Sequence, residues 1–276
     1  MLSLFRLLSH VPLPLLHGLG AALGWLVFLL SPTYRRRLVE HAAQAGYPFA
    51  RVRPAVGHIG RMVGELPRLW MGTMPRVTWD GSLEPAYASG RGVLLLTPHL
   101  GCFEITAQAI AVRHLQAHGP LTVLFRPARK AWIAPLVAAS RNRPGLEAVP
   151  TNLAGVRQMI KALRQGRGVG LLPDQVPPEG MGQWAPFFGK PAYTMTLAAR
   201  LALQTGAEVR LVWGERLPFG RGYVLHVREL QAPLPDSLDD AVVAINAEME
   251  RLIRECPQQY LWSYARYKQP REERGA

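Results

Sequence analysis

Cysteine is scarce in this 276-residue chain: only Cys102 and Cys256 occur, far apart and in no Cys-x-x-Cys motif. That argues against a disulfide framework and a cysteine-built metal cluster, and it fits a reducing compartment. Acidic residues are in short supply as well, 19 Asp and Glu against 32 Lys and Arg, for a formal charge of +13. Such an excess calls for an anionic partner, whether nucleic acid, phospholipid headgroups or an acidic protein. Nucleic acid is the weakest of the three, because the arginines are scattered, no zinc-finger spacing occurs and the aromatics form no RNA-binding signature. Internal repeats and low-complexity linkers are missing too, so the length is most simply spent on one domain.

Formal charge is absent from Val11 to Ser31, His17 aside. Within that stretch Leu23-Gly24-Trp25-Leu26-Val27-Phe28-Leu29-Leu30 is dense enough for a helix that spans a membrane or inserts deeply. Pro12, Pro14, Gly18 and Gly20 weaken its first half, which leaves a span, an interfacial helix and a buried core helix as competing readings. Arg35-Arg36-Arg37 follow closely and hold the downstream chain in the cytoplasm by the positive-inside rule. No small-residue cleavage site follows the apolar core, which argues against a cleaved signal peptide. Residues 1–33 are therefore assigned to a membrane anchor helix and 34–276 to a single domain.

Helical character runs over Tyr34 to Ala45 and Val56 to Trp70, the second with an apolar stripe of Val56, Ile59, Val63, Leu66 and Trp70 and an expected kink at Pro67. Strands are expected at Val77 to Trp79, Val93 to Leu96, Leu121 to Phe125, Val169 to Leu172, Val209 to Trp213 and Tyr223 to Val227. Helices intervene at Phe103 to Leu115, Trp132 to Arg141, Ala154 to Gln165 and Thr194 to Gln204, and Asp239 to Arg254 closes the chain. Pro177 to Gly182 is expected to be a mobile active-site flap. This alternation implies an α/β fold, a mixed, largely parallel central sheet flanked by helices, with an N-terminal membrane-associated helix.

Chemistry is concentrated at Leu94-Leu95-Leu96-Thr97-Pro98-His99-Leu100-Gly101-Cys102-Phe103-Glu104, where a buried strand ends in a turn and a helix begins. His99 and Glu104 flank that junction. An imidazole there can take a proton from a hydroxyl while a carboxylate fixes its tautomer and stabilises the imidazolium. Cys102, in the same segment, reads as a small apolar thiol under a helix start rather than as a nucleophile.

Three further segments change the weight of that dyad. They are Phe125-Arg126-Pro127-Ala128-Arg129-Lys130, Leu172-Pro173-Asp174-Gln175 followed by Trp184 to Ala192, and Gln259-Tyr260-Leu261-Trp262-Ser263-Tyr264-Ala265-Arg266-Tyr267-Lys268. With the His99 segment they resemble, in order and spacing, the successive blocks of the bacterial lipid A late acyltransferases, within the lysophospholipid acyltransferase superfamily marked by His-x-x-x-x-Asp or Glu. The acid here is Glu104, where the wider superfamily more often has Asp, and Asp174-Gln175 stands where the glycerolipid branch has Glu-Gly-Thr. Both departures are usual in the lipid A branch.

The resemblance implies acyl transfer from a thioester, with acyl carrier protein as donor, to a hydroxyl of a lipid A precursor at the cytoplasmic face of a bacterial inner membrane. His99 is the expected general base and Glu104 its orienting acid, with no metal or other cofactor. If the three strands before His99, Arg126 and Asp174 lie side by side, as the resemblance implies, these residues share one cleft. Arg126 is then expected to bind an anionic headgroup or stabilise an oxyanion, against a solvated surface arginine as the plain alternative. Asp174 could orient Arg126, hydrogen-bond the acceptor or cap its turn, and a supporting role is favoured; Gln175 is grouped with it as substrate-binding. Arg129 and Lys130 contact phosphate or solvent. Trp262, Tyr264 and Tyr267 suit either a membrane-interface belt or packing into the domain. Other readings are a related acyltransferase using another glycolipid, an ornithine-type lipid or a lysophospholipid with acyl-CoA, and a basic membrane-bound scaffold without activity.

Overall fold

The computed structural model describes residues 2–125 and 143–272. The chain opens with six helices, α1 (Leu2–Ser9), α2 (Leu13–Leu30), α3 (Pro32–Gln44), α4 (Phe49–Val52), α5 (Pro54–Gly64) and α6 (Leu66–Met71). Proline punctuates this run, since a first-turn proline lacks only an N–H that would be unpaired anyway. The Ser31 side chain accepts from the Tyr34 N–H at 3.4 Å, and Pro32 follows it at the start of α3. The expected helix over Val56 to Trp70 divides at Glu65, and Pro67 sits in the first turn of α6.

Helix α2 has two unlike faces. Leu13, Leu16, His17, Gly20, Gly24 and Phe28 are buried. Gly20 and Gly24 lie against Gly60 and Gly64 of α5 so closely that a Cβ on Gly20 would come within 2.7 Å of the Gly60 carbonyl oxygen. Small residues four apart on both partners let the backbones approach in this way. On the other side Leu15, Leu19, Leu23, Leu26 and Leu30 are exposed. The helix is long and apolar enough to cross a membrane, with one face packed on the domain and the other bare.

Beyond α6 the chain alternates: β1 (Val77–Asp80), α7 (Glu84–Ala88), β2 (Val93–Leu96), α8 (Phe103–His118), β3 (Leu121–Phe125), β4 (Leu146–Pro150), α9 (Leu153–Arg164) and β5 (Gly168–Leu171). A hairpin of β6 (Gly182–Phe187) and β7 (Lys190–Met195) comes next, then α10 (Leu197–Thr205), β8 (Glu208–Arg216), β9 (Tyr223–Glu229) and α11 (Leu238–Glu255). Seven strands form one sheet in the order β1-β9-β8-β2-β5-β3-β4, parallel throughout except for the β8–β9 pair. The mixed, largely parallel sheet read from the sequence is present. Strand β2 lies in its middle and is buried along its whole length. Leu94 and Leu96 pack into the core under α9, α10 and α11, and Val93 and Leu95 into the one under α7 and α8, as period-two alternation requires of a strand covered on both faces.

Two features differ from the sequence reading. Strand β4 was not expected; it is an edge strand whose exposed charge and terminal proline mask its character. The β6–β7 hairpin was not expected either, because Pro186 and Pro191 interrupt it, yet they face each other in a two-stranded ribbon where every strand is an edge. Its turn puts both Phe188 (φ 48°) and Gly189 (φ 73°) in the left-handed region, the requirement of a two-residue hairpin loop. Phe188 is held there by Glu250, which accepts its N–H at 2.6 Å, and by the Gln44 amide, which donates to its carbonyl at 2.8 Å. The expected helix over Trp132 to Arg141 lies outside the described residues.

Candidate active site

Strand register places the central pair. Leu96 at the end of β2 is level with Leu171 at the end of β5, and His99 and Asp174 each follow three residues later. Loops beyond the carboxyl ends of neighbouring parallel strands are the usual place for such residues.

The His99 loop is fixed from behind. Gly101 (φ 59°) turns back against the Gly214 carbonyl of β8, where a Cβ would collide, and the Cys102 N–H donates to that same carbonyl at 2.8 Å. The Gly101 N–H donates to the Gln259 carbonyl at 3.0 Å, and the Leu261 N–H to the His99 carbonyl at 3.1 Å, so the C-terminal segment laces down the turn.

On this frame Asp174, buried to 2% exposure, takes hold of His99 twice. The His99 backbone N–H donates to Oδ2 at 2.9 Å, and the ring Nδ1 lies 2.7 Å from Oδ1. The Tyr260 hydroxyl is a third donor to this carboxylate, meeting Oδ2 at 3.3 Å. Burial opposes ionisation of Asp174, but the charge and hydrogen bonds of His99 and the charge of Arg266 hold its carboxyl below the usual carboxylate range. With Nδ1–H donating to Asp174, Nε2 carries the lone pair and accepts from the Gln175 amide at 3.0 Å.

The carboxylate on Nδ1 is thus Asp174, 75 residues from His99, where the sequence reading gave that position to Glu104. Glu104 accepts a hydrogen bond from the Trp70 indole N–H at 3.1 Å. It lines the same cavity as His99 and Gln175. That cavity has a volume of about 300 Å³ and runs from His99, Phe103 and Glu104 between α8 and the sheet to Ile110, Leu121 and Val212. Its wall is mainly hydrocarbon.

Tyr260 and Trp70 were not assigned to the site from the sequence, Trp70 being read only as a member of an apolar stripe. The signal for Tyr260 was the aromatic C-terminal block, where packing prevails over an interface belt for two of its members: Trp262 is 2% exposed and donates to the Pro257 carbonyl, and the Tyr264 hydroxyl accepts from the Val176 N–H. Cys102 is buried and its thiol pKa is pushed well up by burial and by the nearby Glu65 carboxylate, so it is packing material. Arg126, Arg129 and Lys130 lie outside the described residues.

A buried ion pair connects this loop to α2. Glu65 accepts from Arg216 Nε at 2.8 Å and Nη2 at 2.5 Å, from the Tyr223 hydroxyl at 2.8 Å, and lies 3.0 Å from His17 Nε2. Arg216 also donates to the Gly101 carbonyl at 3.1 Å. Burial alone would raise the Glu65 pKa, yet the Arg216 charge and the hydrogen bonds hold it well below the usual range. One cluster therefore joins α2, the α5–α6 junction, β8, β9 and the His99 turn.

Comparison with known proteins shows the family. The Escherichia coli (strain K12) lipid A biosynthesis lauroyltransferase is 25% identical over 278 residues, covering 95% of this chain and 88% of that protein. The palmitoleoyltransferase of the same strain is 24% identical over 188 residues, 68% of this chain and 59% of that protein. A Haemophilus influenzae lipid A biosynthesis acyltransferase is 24% identical over 180 residues, 65% of this chain and 55% of that protein. The model of the bacterial lipid A biosynthesis acyltransferase family matches residues 2–269. With that match over nearly its whole length, the chain, whose cavity is lined by a histidine held by a buried aspartate, belongs to this family of acyltransferases.

Proposed function

We propose that the protein transfers a fatty acyl chain from acyl carrier protein to a hydroxyl of a lipid A precursor, at the cytoplasmic face of the inner membrane. The observation that carries the reading is the His99–Asp174 pair beside the cavity, with the lone pair of Nε2 facing Gln175. In this mechanism the acceptor hydroxyl displaces the Gln175 amide and gives its proton to Nε2 as it attacks the thioester carbonyl. The imidazolium is stabilised by Asp174 across Nδ1. The tetrahedral intermediate collapses, the C–S bond breaks, and the leaving thiolate takes the proton from Nε2, so ester and free thiol form without a covalent enzyme intermediate.

Glu104 faces the same cavity as a second carboxylate and is assigned to positioning the acceptor beside His99, supported by the Trp70 indole. The hydrocarbon wall suits the acyl chain. Arg126 keeps its expected task at the oxyanion or an anionic headgroup, and Arg129 a phosphate. The charge of +13 suits both an acidic carrier protein and anionic lipid. The leucine face of α2, followed by Arg35, Arg36 and Arg37, suits the membrane surface.

The test is thiol release from acyl carrier protein thioester on adding a lipid A precursor to purified protein, with His99→Ala in parallel. Release in the parent and a loss of about 100- to 10,000-fold in the variant is expected. Equal rates in both would remove His99 from the chemistry.

A further inference from the structure

Away from the His99 cavity, two histidines share one face of α8 near its C-terminal end. His114 and His118 are four apart, and Glu84 at the start of α7 reaches between them: its Oε1 lies 3.3 Å from His114 Nδ1 and its Oε2 3.4 Å from His118 Nε2. One ligand atom from each of the three residues can be chosen so that all lie within 4.8 Å of one another. We propose that Glu84, His114 and His118 form a binding site for a divalent transition metal, with zinc as the natural occupant.

Three observations carry this. The first is spacing. A carboxylate hydrogen-bonded to an imidazolium sits at about 2.7–2.9 Å, and both distances here are longer. Separations of this size admit an ion held by both groups at about 2.0–2.1 Å, once a single carboxylate oxygen turns toward both rings.

The second is preorganisation. The Tyr87 ring stacks on His118 at 4.1 Å and 4°, and it tilts against His114 at 5.1 Å. Trp79 meets His114 edge-on at 5.9 Å. His114 is 3% exposed and its Nε2 has no hydrogen-bond partner, so its polar interaction is all on the Nδ1 side, toward Glu84.

The third is access. Glu84 is 60% exposed and His118 is 22% exposed, so an ion can enter from solvent and water can complete the coordination. Two histidines at i and i+4 with one carboxylate are a donor set that suits zinc. The site lies roughly 16–22 Å along α8 from the end that carries the His99 cavity, at 1.5 Å per residue. The ion would act as a clamp between α7 and the end of α8, distinct from the acyl-transfer chemistry.

The test uses untagged full-length protein in detergent, dialysed against chelator and titrated with Zn²⁺ by calorimetry, with the melting temperature followed in parallel. One Zn²⁺ per chain with a Kd of about 1 μM or tighter is expected. Glu84→Ala, at an exposed position, and His118→Ala, at a half-buried one, should each weaken binding at least about 10- to 100-fold. Zn²⁺ should raise the melting temperature of the parent and leave that of His118→Ala unchanged. Metal-free His118→Ala should melt close to the metal-free parent, which separates loss of a ligand from loss of the fold. Equal Zn²⁺ affinity in the parent and both variants, or the absence of a stoichiometric site in the parent, overturns the proposal.

Discussion

Asp174 Oδ1 lies 2.7 Å from His99 Nδ1 while Oδ2 accepts the His99 backbone N–H at 2.9 Å, so one buried carboxylate sets both the ring and the turn that carries it. Removing it should affect catalysis through tautomer and orientation together. Asp174→Ala is expected to lower kcat by about 100-fold or more, with KM for the acyl donor little changed. Asp174→Asn keeps most of the shape but not the charge and should lose nearly as much. Parental kcat in Asp174→Asn would show that the aspartate only supports the loop.

Glu104 separates from Asp174 by experiment. Its carboxylate faces the cavity and accepts from Trp70, whereas Nδ1 of His99 is already occupied. A positioning role for the acceptor predicts that Glu104→Gln raises KM for the lipid acceptor more than Asp174→Asn does, and that Trp70→Phe shifts it in the same direction by a smaller factor. Glu104→Asp should be milder than Glu104→Ala. A fall in kcat with both KM values at parental levels would move Glu104 into the proton-transfer step.

How much of this was legible in the sequence follows physical lines. Strand β2 declared itself as four apolar residues ending in Thr97-Pro98, and α8 and α11 by period, because those signals are local. The His99–Glu104 pairing was read from spacing along the chain; the bond from Asp174 arises from the parallel register of β2 and β5, which a single sequence does not display. Asp174 itself was singled out, but for Arg126, the acceptor or its own turn, whereas the structure hydrogen-bonds it to His99. Strand β4 and the β6–β7 hairpin stayed hidden because proline and charge are tolerated only at sheet edges, and edges are a property of topology. The Glu65–Arg216 pair was invisible for the same reason, its members lying 151 residues apart.

Acid sensitivity should trace in part to His58. It lies between Arg216, 3.3 Å from Nδ1, and Arg61, 3.2 Å from Nε2. Burial first, then the two guanidinium charges, lower its pKa from 6.5 to about 3. The folded state thus holds His58 neutral where the unfolded chain protonates it. Its contribution is complete above pH 6.5 and is lost as pH falls from 6.5 toward 3, at up to about 1.4 kcal/mol per pH unit. His58→Gln should therefore flatten the decline in denaturant-unfolding stability between pH 6.5 and 4.5 relative to the parent. Parallel pH profiles would assign the acid sensitivity elsewhere.

The two faces of α2 predict a double dissociation. Leu19, Leu23 and Leu26 point away from the domain, and burying a leucine side chain in lipid is worth about 1.5–3 kcal/mol. Exchanging all three for Glu should lower partition into anionic vesicles by at least about 100-fold, leaving the melting temperature in detergent near the parental value because those side chains touch little of the protein. Gly24 lies on the opposite face, where an added Cβ would collide with the Val56 carbonyl of α5. Gly24→Leu should lower stability by about 1–3 kcal/mol through overpacking, while vesicle partition of the folded protein holds. The basic residues after the helix contribute a further attraction that is screened over about 8 Å at physiological ionic strength, so the leucine variant should lose its residual binding at high salt and the parent should not. A leucine variant that still floats with vesicles at high salt would place the anchoring on another surface. A Gly24→Leu protein that melts like the parent would show that the α2–α5 contact contributes little to the fold.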